Sequence, residues 1–146
     1  MDKEKILSIV KNKISEKIQN LETLIAETRA SSNDTKSSMG DKYETGREML
    51  QQEINNLQRQ LNEVLNQQNV LQKITADPSL KIQNGTLVKT DKGLFYIAAP
   101  IGEIVIDQQK IMTVSVESPL VKAMLGLNKG QTFSINNNQQ VIEGIW

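Results

Sequence analysis

The chain has 146 residues, with 17 basic and 17 acidic side chains and therefore no net charge at neutral pH. This length allows one ordinary domain, or one small domain together with an extended element. The balanced charge provides no overall attraction to nucleic-acid backbones, so direct nucleic-acid binding is not expected. The absence of cysteine and histidine excludes disulfides, thiolate nucleophiles, imidazole bases and the commonest zinc ligands.

The rest of the composition predicts a cytoplasmic protein that does not associate with membranes. No run of about 18 apolar residues is present to cross a bilayer, and the N-terminal segment lacks the apolar core of a secretory signal. Aromatic residues make up only 3% of the chain. They are too few for a platform on which single-stranded bases could stack.

Residues 3–74 are rich in Glu, Lys, Gln, Asn and Leu and contain no proline, a composition that favours helix. Two apolar stripes in this range repeat at steps of mostly three and four residues, the spacing of one narrow helix face. Two such stripes joined by a short connector predict an intramolecular antiparallel coiled coil. The stripes consist of Leu7, Val10, Ile14, Ile18, Leu21 and Ile25, and of Leu50, Ile54, Leu57, Leu61, Val64 and Leu71.

The segment from Ala30 to Asp41, between the stripes, is rich in Ser, Thr, Asn, Asp and Gly. Short polar side chains compete for backbone hydrogen bonds and favour caps and turns over helix interiors. We therefore expect the hairpin tip at about residues 31–41. Ser38 followed by Asp41 resembles a capping box that opens the second helix, and Gly46 within that helix indicates close packing against the facing helix.

The helical pattern ends at Asp77-Pro78, because a residue that precedes proline is pushed out of helical geometry. We place a domain boundary there, between residues 1–76 and 77–146. Downstream, short β-like runs alternate with turn signals at Asp91-Lys92-Gly93 and Asn136-Asn137-Asn138. The expected strands are residues 86–89, 94–98, 104–106, 111–116, 132–135 and 141–145.

One short helix is expected between these strands. Serine is a good N-cap and proline suits the first helical position, so Ser118-Pro119 should start a helix that Gly126 ends after Leu125. The fold class is therefore α+β, with a coiled-coil hairpin followed by a small antiparallel sheet packed by one helix.

The stretch VSVESPLVKAMLGLNKGQTFSI, residues 114–135, together with QVIEGI, residues 140–145, resembles the C-terminal signature of Gre transcription elongation factors. The resemblance implies a C-terminal domain of FKBP-like fold behind an N-terminal antiparallel coiled coil. It also implies docking on the rim of the secondary channel of bacterial RNA polymerase, with Glu117, Ser118 and Pro119 at the docking surface. The alternative for Ser118-Pro119 is only a helix start.

The expected tip departs from the family pattern. Cleavage-stimulating Gre factors carry two acidic tip residues that help the polymerase hold a magnesium ion. If Tyr43 is matched to the tyrosine that follows the acidic tip segment of those factors, the two acid positions fall on Lys36 and Met39 here. Neither side chain binds magnesium. The candidate tip acids in a shifted register are Asp34, Asp41 and Glu44. The alternative is that Asp34 stabilises a turn, Asp41 caps a helix and Glu44 is a solvated charge near a helix N-terminus.

The resemblance thus implies a Gre-like factor that binds RNA polymerase and modulates elongation or backtracked complexes. It is not expected to be an enzyme or to hold a cofactor of its own, and magnesium would be shared only at the polymerase active site. Regulation without transcript cleavage is preferred over cleavage. The alternatives are a coiled-coil adaptor and an FKBP-like peptidyl-prolyl isomerase. A monomer is expected, with self-association through the hairpin left open.

Overall fold

The computed structural model describes residues 2–38 and 44–146, and for residues 32–38, 44 and 45 it describes only the backbone. Two long helices come first, and six short strands with one short helix follow. The helices are α1 (Lys3–Ser38), α2 (Glu44–Gln72) and α3 (Pro119–Met124). The strands are β1 (Leu87–Thr90), β2 (Gly93–Ile97), β3 (Gly102–Ile106), β4 (Gln109–Val114), β5 (Thr132–Ile135) and β6 (Asn138–Ile145).

Residues 14–68 form one compact unit, which contains most of α1 and α2. The apolar stripes predicted from the sequence are buried, with Ile14 fully inaccessible and only Leu50 half-buried. Flanking positions are exposed and polar, so each helix buries one narrow face against the other. This arrangement confirms the helical hairpin. A Cβ at Gly46 would meet no described atom within 4 Å, so the close packing expected at this glycine is not observed.

The helix ends near the tip differ from the prediction. The first helix continues to Ser38, and the second begins at Glu44. Ser38 is therefore the last residue of α1 and not the cap of α2, and residues 31–38 are helical. Helix propagation gains one hydrogen bond per residue, and this gain outweighs the small propensity cost of polar residues at the end of a long helix. Asp41 lies outside the described residues.

The six strands form one sheet in the order β3-β4-β2-β1-β6-β5. The predicted hairpin of β1 and β2 is present, with Val88 opposite Phe95. The sheet is antiparallel as expected except at one pair, because β2 and β4 run parallel, with Phe95 beside Met112. The connection between them includes β3, which pairs antiparallel with β4. The sheet is therefore mixed.

Two strand reversals use residues with positive φ. At the reversal between β5 and β6, Asn136 and Asn137 have φ of 52° and 65°, and asparagine tolerates this region well. The reversal between β3 and β4 uses Asp107 and Gln108, with φ of 50° and 67°. Glutamine carries no turn preference, so the sequence did not indicate this second tight turn.

One face of the sheet is packed by α3, and we call it the helix face. Its core contains fully buried side chains from the strands and from α3: Val88, Ile97, Ile142, Val121 and Met124. Val114 and Leu120 pack against this core from its margin. The short helix thus covers the middle of the sheet.

The opposite face carries buried Leu87, Tyr96 and Ile111. The unit that contains the sheet also includes the outer ends of the long helices, up to residue 13 in α1 and from residue 69 in α2, whereas the sequence boundary was placed between residues 76 and 77. Ile6 of α1, which is 1% exposed, and Ile111 line the same cavity. The apolar ends of the long helices therefore belong to the core of the sheet unit.

A buried lysine fixes the segment that leads from α2 into the sheet. Lys3 Nζ donates to the Asp77 carbonyl oxygen at 2.7 Å and to Ser79 Oγ at 3.4 Å. Burial lowers the pKa of Lys3, and the nearby negative charge of Asp77 opposes this shift. The side chain therefore ties the start of α1 to the loop that precedes β1.

The α+β fold class is confirmed: two long helices precede a mostly antiparallel six-stranded sheet with a short helix. The strands begin and end within about three residues of the predicted runs, the usual uncertainty of boundaries read from sequence. Within residues 2–38 and 44–146, no helix is long and apolar enough to cross a membrane.

Candidate functional site: a docking surface on the sheet unit

Ser118 starts α3 as the sequence predicts. Its φ of −66° and ψ of 150° are extended, and its Oγ accepts a hydrogen bond from Val121 N at 3.3 Å. Pro119 occupies the first helical position, where its fixed φ suits the helix and its missing N–H is not needed. Gly126, with a φ of 78°, follows the last turn and accepts the left-handed geometry that ends a helix.

The turn before α3 is fixed by two further hydrogen bonds. Glu117 N donates to Ser115 Oγ at 3.1 Å, and Ser118 N donates to the Ser115 carbonyl oxygen at 3.0 Å. Glu117 and Pro119 are exposed and Ser118 is half-buried. The three residues predicted to dock thus lie together in one ordered turn, with a carboxylate and a proline ring facing solvent.

A row of side chains beside this turn is left uncovered on the helix face. Phe95 of β2 pairs with Met112 of β4, which pairs with Glu103 of β3. Phe95 is half-buried and Met112 is 40% exposed. Val105, two residues after Glu103 on the same face of β3, is 60% exposed. We call Phe95, Met112 and Val105 the apolar row. It shares a face with Val88 and Ile97 because side chains alternate along each strand.

The apolar row and the docking turn lie close along the chain. Val114, which follows Met112 by two residues on the same face, packs against the core under α3, and the turn begins at the next residue. Contiguous apolar surface that is flanked by charges is typical of protein interfaces. Glu103 and Lys110 supply those charges, and both are exposed. The geometry therefore suits an amphipathic segment of another protein.

The tip candidates are only partly described. Asp34 lies in the last turns of α1 and Glu44 is the first residue of α2, while Asp41 is outside the described residues. The backbone of Asp34 is therefore helical. Glu44 stands at a helix N-terminus, where a negative charge is favoured.

No metal site is found in the part of the chain that the structure describes, since no three Asp or Glu side chains there are grouped to hold an ion. Two of the aromatic residues of the sheet unit are unavailable to a proline-binding pocket. Tyr96 is fully buried and Phe133 is 7% exposed within the core, so neither side chain is available to a substrate.

Sequence reasoning missed the apolar row. A signal was present, because IMTVSV in residues 111–116 has apolar residues at both strand parities. A strand with one solvated face alternates apolar and polar residues. Met112 therefore indicated that the second face of this strand also needs apolar contacts. Phe95 lies beside Met112 in this row. The pairing that brings it beside Met112 is parallel, and local sequence does not reveal such a pairing.

Comparison with known proteins gives matches among solved structures only. No protein-family model and no curated protein matches the chain. Gfh1 of Thermus thermophilus, described as GreA factor homolog 1, is 16% identical over 93% of this chain and 94% of that chain, with a TM-score of 0.39. Gfh1 of Thermus aquaticus is 15% identical over 92% of both chains, with a TM-score of 0.36. These two solved structures are both of Gfh1.

Proposed function

We propose that this chain is a Gre-type transcription factor that binds bacterial RNA polymerase and modulates elongation or backtracked complexes. The sheet unit docks on the rim of the secondary channel through Glu117, Ser118 and Pro119, and the helical hairpin enters the channel. The chain acts by binding and is not an enzyme. The sequence resemblance to the C-terminal Gre signature is the origin of this proposal, and the local structure supports it.

The observation that carries the proposal is the apolar row beside the docking turn. Docking requires exposed side chains that a partner can desolvate. If Ser118-Pro119 only started a helix, no such side chains would be required. Met112 is 40% exposed and Val105 is 60% exposed on the face that α3 packs. Burial of such side chains contributes about 25 cal/mol per Å² of apolar surface, and Glu117 adds a charge that can pair with a basic partner residue.

The charge of the hairpin favours protein contacts over nucleic-acid contacts. Residues 14–68 contain six basic and nine acidic side chains. Because proteins that hold nucleic-acid backbones neutralise phosphates with Lys and Arg, a net-negative hairpin gains little from the transcript or template. The hairpin is therefore proposed to act by occupying the channel.

The same sequence argues against stimulation of transcript cleavage. Carboxylates are the ligands that Mg²⁺ prefers, and the family acid positions hold Lys36 and Met39. Any magnesium ion in this mechanism would belong to the polymerase. Asp34, Asp41 and Glu44 remain the acids to test, because a shifted register could bring them to that ion.

Two other functions have less support. A peptidyl-prolyl isomerase needs an open aromatic pocket, and Tyr96 and Phe133 are buried. A coiled-coil adaptor needs a second continuous apolar stripe. Leu24 and Val70 are 46% and 37% exposed but lie on different helices, and Leu65 is half-buried. These side chains do not form such a stripe.

The docking surface is tested by direct binding of the cognate polymerase. We expect Met112→Glu to weaken binding at least tenfold, because it places a charge where an apolar contact is proposed. Leu80→Glu is the matched control, since Leu80 is 92% exposed in the same unit and lies outside the apolar row. Equal affinity of both variants and the native chain would contradict docking at this surface.

A further inference from the structure

Strand β3 is an edge strand of the sheet, and its outer side is unpaired in the described part of the chain. It joins β4 through the two-residue turn Asp107–Gln108, with Ile106 opposite Gln109. In a two-residue hairpin the pair that flanks the turn is hydrogen-bonded, and bonded and non-bonded pairs then alternate. The outward N–H and C=O groups of β3 therefore belong to Glu103 and Val105.

These outward groups are not protected in the usual ways. Edge strands commonly carry a proline, a bulge, several lysines or a covering loop. Residues 102–106, GEIVI, contain no proline and no lysine, and no register shift interrupts the pairing with β4. Glu103 and Val105 are both exposed. Four backbone groups are thus presented in extended geometry.

The two faces beside this edge differ in chemistry. On the helix face, Val105 and Met112 present apolar surface. On the opposite face, a cavity of about 320 Å³ lies at the end of β3, with Ile6, Ile106 and Ile111 among its lining residues. Asp2 and Asp107 also line it. Its floor is therefore apolar and it carries two acids.

We propose that the edge of β3 binds an extended peptide segment of a partner protein as an added strand, with an arginine or lysine of that segment in the acidic cavity and an apolar residue on Val105. Main-chain hydrogen bonds to Glu103 and Val105 hold the segment, and alternate side chains reach the two faces. The aliphatic stem of a basic residue packs on the isoleucines while its charged end meets the carboxylates.

The acidic groups are accessible to such a residue. Lys5 Nζ lies 3.3 Å from Asp107 Oδ1, but this ion pair is exposed, with 49% and 77% of the two side chains accessible. Exposed pairs are weak, so a partner cation can share or replace this contact. Asp2 accepts from Lys5 N through Oδ1. The peptide shares Val105 with the surface proposed to dock polymerase, but its binding is measured without polymerase.

The test uses the full chain and an array of synthetic ten-residue peptides in which valine alternates with arginine, lysine, glutamine or glutamate. We expect the arginine and lysine series to bind at least about fivefold more tightly than the glutamate series, because the cavity is acidic. Binding should also slow the hydrogen exchange of the Glu103 and Val105 amides.

Variants separate strand addition from general attraction. Val105→Pro removes an outward N–H that β4 does not use, so the sheet stays intact while peptide affinity falls about tenfold. Val105→Thr is the matched control: it keeps this N–H and should lose less affinity than Val105→Pro. Asparagine tolerates the positive φ of this turn. Asp107→Asn should therefore fold normally and reduce the difference in affinity between the lysine and glutamine peptides.

Three results would overturn the proposal. The first is equal binding of the basic and acidic series, and the second is unchanged affinity in Val105→Pro. The third is dimerisation of the chain that Val105→Pro abolishes, without binding of any peptide, because β3 would then pair with a second copy. Sedimentation of the native chain and of Val105→Pro measures this last outcome.

Discussion

Ser118 connects local stability with the proposed docking surface. Its Oγ satisfies the Val121 N–H in the first turn of α3, and loss of such a cap destabilises a protein by about 1 kcal/mol. We expect Ser118→Ala to lower the free energy of unfolding by that amount. Ser118→Asp should retain most of the stabilisation, because aspartate is also a good N-cap. Urea titration monitored by Trp146 fluorescence measures both, and an unchanged midpoint for Ser118→Ala would contradict the capping role.

Trp146 is a suitable reporter because it is the single tryptophan and its ring lies over Gly144, where a Cβ would overlap it. Its backbone N–H donates to the Leu87 carbonyl oxygen at 2.9 Å. The ring therefore responds to the pairing of β1 and β6 at the centre of the sheet.

Tyr96 makes the stability of the fold decrease at alkaline pH. Its side chain is fully buried and its hydroxyl has no hydrogen-bond partner among the described residues. Burial raises the pKa of Tyr96 to about 12, above the ordinary tyrosine pKa of about 10. The folded state thus holds the proton more tightly than the unfolded state does. This contribution is complete below about pH 10 and is lost as the pH rises through 12.

Tyr96→Phe tests this assignment. We expect the variant to be at least as stable as the native chain at pH 7, because it removes an unpaired buried hydroxyl. Between about pH 10 and 12, its stability should fall less steeply than that of the native chain. Parallel urea midpoints of the two proteins across that range would contradict the raised pKa.

At the scale of elements, the turn between β3 and β4 contains an unfavourable residue. Gln108 has a φ of 67°, a region that glycine occupies without steric cost. We expect Gln108→Gly to raise the free energy of unfolding by about 0.5 kcal/mol, and Asn137→Gly to change it less because asparagine already suits its turn. Destabilisation by Gln108→Gly in the urea titration would contradict the turn geometry.

The elements that the sequence predicted are those defined by local signals. The apolar stripe from Leu7 to Ile25 follows helix periodicity, and Ser118-Pro119 combines a cap with a preorganised first position. The Gln108 turn and the parallel pairing of Phe95 with Met112 escaped prediction. The first has no residue signature, and the second depends on which strands meet in the folded sheet. The docking turn was therefore predictable, and the apolar row beside it was not.

At the scale of the whole molecule, the two units have different compositions that fit different proposed tasks. The hairpin unit is long and polar outside its seam, with more acidic than basic side chains, and it is proposed to occupy a channel. The sheet unit carries the apolar row and the docking turn, and it is proposed to hold the polymerase. In this account, binding resides in the sheet unit and regulation in the hairpin.

The most direct test of this account is RNA cleavage in stalled, backtracked elongation complexes of the cognate polymerase, measured together with polymerase binding. The native chain and an Asp34→Ala, Asp41→Ala, Glu44→Ala triple variant are compared. We predict that both bind equally and that neither accelerates cleavage, since Lys36 and Met39 occupy the family acid positions. Accelerated cleavage that the triple variant loses would contradict channel occupation without cleavage, and no binding by the native chain would contradict the polymerase assignment.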